Sequence, residues 1–170
     1  QYGTSFGYPA GCMGAHVSVS PNEQNGRVTP LSTRGIVAMS GTFGYELNPE
    51  KLSEEDKKEI RRQIAKRNEL AHLIYNGKYY RLSSPFEGES AAWAFVSEDQ
   101  SEALINYVSL QIHGNRHVTY IRMCGLKPGA IYRDKETGKE YPADGLMETG
   151  MPMPIAFGDY GAVQICLERV

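Results

Sequence analysis

Near residue 77 the hydrophobic pattern changes its period, and that switch constrains the fold more than any other feature of the sequence. Upstream, Ile60, Ile64, Ala71 and Ile74 recur at steps of three or four residues or their sums, with Leu70 and Leu73 widening the stripe. This spacing predicts an amphipathic helix over residues 53–76. Ser53 stands at its N-cap, and Asp56 takes the place of the acidic member of a capping box. Glu54, Glu55 and Asp56 complement the dipole of the first turn, and Asn76-Gly77 is a stop. Lys57, Lys58, Arg61, Arg62, Lys66 and Arg67 interleave with Glu50, Glu54, Glu55, Glu59 and Glu69, which reads as a solvated helix face rather than a basic patch.

Downstream the period is two. Residues 91–97, 102–111, 117–124 and 162–168 read as strands, separated by the turn chemistry of Glu98-Asp99-Gln100, His113-Gly114-Asn115, Lys127-Pro128-Gly129 and Glu136-Thr137-Gly138. No helical period intervenes, so the expectation is an antiparallel sandwich or barrel rather than βαβ units. Before the helix, residues 14–19 form a short β-branched run bounded by glycine and Pro21. Residues 22–30 read as a loop turning at Asn25-Gly26, and residues 35–39 fit either a buried strand or a turn or two of helix.

Charge and length exclude several functions. Eighteen Lys and Arg against twenty Asp and Glu give a net charge of −2, which offers no electrostatic case for a nucleic acid or an anionic membrane. The 170 residues are too few for a complete (β/α)8 barrel, which needs roughly 200 or more. No apolar run approaches a bilayer-spanning length, no signal peptide is visible within the chain, and Gln1 reads as an internal start. Cys12, Cys124 and Cys166 are odd in number and form no C-x-x-C pair, so a reducing, cytoplasmic compartment is expected, without a structural metal.

Catalytic chemistry is sparse. No Asp precedes Asp56, and Asp99, Asp134, Asp144 and Asp159 all sit beside turn residues. His113 and His117 have a metal-like spacing but no convergent third ligand in sequence, and Cys12 has no evident base. Trp93 with Tyr79, Tyr80, Tyr107, Tyr120, Tyr132 and Tyr141 fits cross-strand core packing better than a sugar-stacking platform. From the residues alone the chain is α+β: a short N-terminal region, one long helix, and an antiparallel β half.

A longer pattern points further. Gln1-Tyr2-Gly3-Thr4-Ser5, Tyr8-Pro9, Met13-Gly14-Ala15-His16-Val17-Ser18, Pro21-Asn22, Gly26-Arg27-Val28-Thr29-Pro30-Leu31, Thr33-Arg34-Gly35, Met39-Ser40-Gly41 and Phe43-Gly44-Tyr45-Glu46-Leu47 follow one another closely. Lys51-Leu52-Ser53, Tyr80-Arg81-Leu82 and Ser84-Pro85-Phe86 continue the pattern. This succession resembles the late part of the bacterial α-galactosidases of glycoside hydrolase family 36, strongly over residues 1–97 and more loosely beyond.

The resemblance implies a larger enzyme with a central (β/α)8 barrel and a C-terminal β-sandwich. Its activity would be retaining hydrolysis of terminal α-galactosyl residues in melibiose- and raffinose-type sugars, with no cofactor or metal. It implies that residues 1–78 end the barrel and residues 79–170 form the sandwich. In detail, residues 1–11 would finish barrel helix 7, residues 14–19 form strand 8, residues 20–50 the long loop after it, and residues 53–76 helix 8. The family's two catalytic Asp motifs do not occur here, so no catalytic residue is expected in this chain and the chain alone should be inactive. His16, Ser18 and Asn22, near the carboxyl end of a barrel strand, are the candidates for the rim of the substrate pocket. Without other barrel units, Ile60, Ile64, Val17 and Val19 would lack partners, so the chain is expected to be a cleaved or truncated piece or to pair with itself or another polypeptide, and the enzyme to be a homo-oligomer. The competing reading is a non-catalytic sandwich module serving oligomerisation or carbohydrate binding.

Overall fold

The computed structural model describes residues 1–112, 114, 118–155 and 158–170. The chain divides into two compact units, Gln1–Tyr75 and Asn76–Val170.

The first unit begins with two single 3₁₀ turns, Thr4–Phe6 and Ala10–Cys12, where the end of a barrel helix was expected. Pro9 immediately before the second turn and glycines at 3, 7 and 11 explain the interruption, since neither residue supports a continuous helix. Of residues 14–19, expected as a strand, only Val17 is paired, in a single bridge, and residues 20–50 are not one loop. Helix α1 (Leu31–Met39) stands within them, which resolves the ambiguous run at 35–39 as helix. The chain then returns in extended form, so that Tyr45 makes a parallel bridge with Val17. Parallel pairing of two close segments requires a crossover, and α1 is that crossover.

Helix α2 (Glu54–Asn76) occupies the expected span. The Asp56 amide donates to Ser53 Oγ at 3.0 Å and the Ser53 amide donates to Asp56 Oδ2 at 3.3 Å, a reciprocal cap built with Asp. The buried face, however, is Gln63, Arg67, Leu70, Leu73 and Ile74. Ile64 is 42% exposed, so the inward face is rotated from the stripe that the isoleucines define. Two polar side chains displace that stripe because each is held there by hydrogen bonds. Gln63 Nε2 donates to the Leu31 carbonyl at 3.1 Å and to Glu59 at 2.7 Å, and Arg67 donates to the Gly41 carbonyl at 3.2 Å. Arg67 therefore leaves the solvated face assigned to it by charge pattern. Val17, expected to lack partners, is fully buried with Ala15 and Ala38, whereas Val19 is 41% exposed.

The second unit is an antiparallel sheet of six strands in the order β1-β2-β3-β8-β5-β6, with a separate pair β4-β7. The strands are β1 (Lys78–Ser83), β2 (Ser90–Val96), β3 (Glu102–Ser109), β4 (Tyr120–Ile121), β5 (Ile131–Asp134), β6 (Glu140–Pro142), β7 (Met151–Pro152) and β8 (Ala162–Arg169). β2 and β3 are buried along nearly their whole length, which explains why their sequences run apolar instead of alternating. One face, with Ala94, Ile105, Ile165 and Leu167, packs on Ile121, Met123, Leu126, Met151 and Met153. Helix α3 (Ala143–Glu148) contributes Leu146 to the same core, and its six residues are too few to print a helical period.

The turns expected at 98–100, 127–129 and 136–138 form, and the one expected at 113–115 rests on residues outside those described. Gly129 and Gly138 take positive φ of 72° and 71°. At Asp99, the hydroxyls of Ser101 and Ser97 and the Ser101 amide donate to one carboxylate oxygen and hold its pKa down at about 2. The strand expected over 117–124 is confined to Tyr120–Ile121 among the described residues, and His117 lies outside them. Trp93, Tyr107 and Tyr132 are 6%, 2% and 0% exposed, so these rings are core and offer no stacking platform. No helix among the described residues is long and apolar enough to cross a membrane.

Candidate functional site

The two extended segments of the first unit are paired by backbone. The Val17 amide donates to the Gly44 carbonyl at 2.8 Å, and the Glu46 amide donates to the Val17 carbonyl at 2.9 Å. Side chains alternate across such segments. Ala15 and Val17 pack with Ala38 of α1, joined by Leu31, Phe43, Tyr45 and Leu47. The alternate positions, His16 and Ser18 on one segment and Glu46 on the other, therefore face away from the helices.

Tyr45 shows how that orientation is held. Its hydroxyl donates to Gln63 Oε1 at 2.8 Å, and burial, aided by the Glu59 charge, raises its pKa to about 12. Gly35 of α1 lies against the same Gln63 side chain, where a Cβ would fall 2.3 Å from Gln63 Cδ. Gln63 of α2 thus bonds to α1 and to the second extended segment, with Gly35 leaving room for its side chain.

A cleft of about 850 Å³ opens at the carboxyl ends of both segments. His16, Ser18 and Asn22 all line it, joined by Glu46 and Asn48 after the second segment. Arg34 near the start of α1 and Asp56 in the first turn of α2 complete its helix side. In parallel αβ structures the carboxyl ends of strands are where ligands are met, so the position of this cleft has chemical meaning.

The three sequence candidates are not equivalent. His16 Nε2 lies 2.8 Å from Glu46 Oε2, both side chains being more than half exposed to the cleft. The carbonyl of Ser18 accepts from Arg34, leaving its hydroxyl without a protein partner among the described residues. Asn22 turns inward: its Oδ1 accepts from the amides of Gln24 at 3.1 Å and Asn25 at 3.2 Å, and its carbonyl accepts from the Gly26 amide at 2.8 Å. Gly26 at φ 69° closes that turn. Asn22 is thus a loop-shaping residue on the cleft wall.

Two residues of the site escaped the sequence reading. Arg34 donates through Nε to the Thr29 carbonyl at 3.0 Å and through its terminal nitrogen to Ser18, gripping both ends of the loop that walls the cleft. Burial lowers its pKa, with the Asp56 charge opposing the shift. Glu46 was passed over because residues 20–50 read as loop; alternation about Tyr45 would have exposed it. Asp56 and Glu46, the carboxylates with partners here, are engaged by the Ser53 cap and by His16. No three of His, Cys, Asp and Glu converge as a metal cluster among the described residues, and His113 and His117 lie outside them.

Comparison with known proteins gives the same frame along the whole chain. It is 51% identical over all 170 residues to the bifunctional alpha-galactosidase/sucrose kinase AgaSK of Mediterraneibacter gnavus, covering 18% of that protein. It is 47% identical over 170 residues to the alpha-galactosidase AgaA of Geobacillus stearothermophilus, covering 23% of it. The solved galactosidase domain of AgaSK superposes with a TM-score of 0.97 at 48% identity, over 99% of this chain and 24% of that one. A variant of AgaA solved in complex with raffinose superposes with a TM-score of 0.96 at 45% identity, over 100% of this chain and 24% of that one. The chain thus spans about a fifth to a quarter of the length of these relatives. Residues 1–77 match the Melibiase model and residues 90–167 match the glycosyl hydrolase family 36 C-terminal domain, and with these matches the chain belongs to glycoside hydrolase family 36.

Proposed function

We propose that this chain is the C-terminal part of a retaining α-galactosidase that removes terminal α-galactosyl residues from melibiose- and raffinose-type oligosaccharides. The observation that carries the proposal is identity of 47–51% to α-galactosidases along the entire 170 residues. In this reading residues 1–78 close a (β/α)8 barrel and residues 79–170 form its β-sandwich companion. The parallel bridge supports a specific revision: the segments about Val17 and Tyr45 are the last two barrel strands, with α1 and α2 the helices that follow them. His16 and Glu46, on the face away from the helices, then point into the barrel, and the cleft lies at its catalytic mouth.

Retaining hydrolysis uses two carboxylates about 5–5.5 Å apart, one as nucleophile and one as acid/base. The proposal assigns neither role to this chain, because Glu46 is paired with His16 and Asp56 caps α2. His16, Ser18 and Asn22 belong to the rim: Ser18 offers a hydroxyl, His16 an imidazole, and Asn22 keeps the loop in shape. The same reading puts the enzyme in the cytoplasm, since Cys12 and Cys124 are exposed free thiols suited to a reducing compartment. It also makes the enzyme a homo-oligomer.

The test is turnover. The intact protein carrying this sequence should release galactose from raffinose and from nitrophenyl α-galactoside, and the 170-residue chain should give no turnover above buffer. An inactive intact protein refutes the proposal; turnover by the chain alone assigns catalysis to the carboxylates dismissed above.

A further inference from the structure

Resting on the α-galactosidase reading, the geometry points to Arg34 as a positioning residue, which pins the loop over residues 18–29 and so fixes the cleft wall that substrate meets. Its Nε donates to the Thr29 carbonyl at 3.0 Å, and a terminal nitrogen donates to the Ser18 carbonyl. Those carbonyls stand at the two ends of the loop, so one guanidinium on α1 fastens both. Arginine suits the task because its donors leave one rigid, planar group in fixed directions.

Between its ends the loop is shaped by its own polar groups. The Thr29 amide donates to Ser20 Oγ at 3.2 Å, the Asn22 amide to the Arg27 carbonyl at 2.9 Å, and the Arg27 amide to Asn25 Oδ1 at 3.0 Å. These three bonds make the loop a preformed unit, and none of them reaches α1. Open space lies against it: the cleft of about 850 Å³ and a second hollow of about 140 Å³, with Arg34, Ser18, Ser20 and Asn22 lining both. A loop flanked by hollows and held by hydrogen bonds belongs to the low-stability end of a fold, so its placement on α1 depends on the guanidinium. Asn22, Glu23 and Gln24 ride on it into the cleft wall.

Arg34 acts through the loop and not on the reacting atoms. A freed loop that holds the binding-competent arrangement about a tenth of the time lowers apparent affinity about tenfold, whereas a complex once formed has the loop in place. The signature therefore falls on KM, with kcat much less affected. Lysine at this position keeps a positive charge near Asp56 but replaces the fork by a point charge, so it separates geometry from charge.

Arg34→Ala and Arg34→Lys in the intact protein test this. Both should raise the KM for raffinose about tenfold, with kcat falling much less. In both, the Thr29 and Asn22 amides of the loop should exchange faster, while the Val17 and Glu46 amides stay as protected as in the wild type. An unchanged KM, a lysine variant with the wild-type KM, or a kcat that falls as far as KM rises overturns the inference. So does exchange that quickens equally at Val17 and Glu46, which would make Arg34 a general stabiliser of the first unit. Should alanine prevent folding, the lysine variant carries the test alone. An intact wild-type protein that turns over no galactoside fails the α-galactosidase reading, and the exchange pattern then decides by itself whether Arg34 holds the loop.

Discussion

Gln63→Leu is expected to destabilise the first unit by about 3 kcal/mol while keeping nearly the same side-chain volume. Gln63 is 4% exposed, and its amide holds the Leu31 carbonyl, the Glu59 carboxylate and the Tyr45 hydroxyl. Leucine leaves these groups without the partner, at about 1–3 kcal/mol for each one that stays buried. Loss of the Tyr45 bond frees the segment that carries Glu46, so local opening should appear first there. Hydrogen exchange at the Val17 and Glu46 amides, the two donors of the parallel bridge, reads this directly. Gln63→Glu should also destabilise, since it sets a second carboxylate against Glu59. A neutral leucine variant would mean that Gln63 only fills space.

The second large effect is expected at Tyr132, where alanine should destabilise the sheet by about 3–5 kcal/mol. The ring is 0% exposed within the main core. Its hydroxyl donates to the Gln100 carbonyl at 2.6 Å and accepts from the Lys127 amide at 3.0 Å, tying β5 to the β2–β3 turn and to the turn before β5. Tyr132→Phe keeps the ring and should cost only about 1–3 kcal/mol for the buried groups it strands. Guanidinium denaturation followed by Trp93, the single tryptophan, measures both within this unit. A loss well below 3 kcal/mol in the alanine variant would show that the core collapses around the gap.

How much of this was legible in sequence depended on whether local chemistry or distant pairing decided each element. The long helix was legible because its cap, its dipole charges and its stop all lie within its own residues. Its inward face was not, because Gln63 and Arg67 are buried by partners some thirty residues away in sequence, which no helical period records. The hairpin of β2 and β3 was visible from two apolar runs around an Asp turn. β5 and β6 are four and three residues long, too short for alternation to register.

At the site, the resemblance pointed to His16, Ser18 and Asn22, and all three line the cleft. Its second wall was hidden because α1 contains Gly35 in its middle, a residue that weakens a helical signal yet is required by the approach of Gln63. Once α1 is seen as a crossover, Tyr45 pairs with Val17 and Glu46 comes within 2.8 Å of His16.

The central claim is that the carboxyl ends of these two parallel segments wall the α-galactoside site of the intact enzyme. The structure of the intact protein with raffinose bound tests it most directly. The account predicts saccharide in the 850 Å³ cleft, with a hydroxyl within hydrogen-bonding distance of His16 or Ser18. Raffinose seated elsewhere, with the cleft holding only solvent, would contradict it.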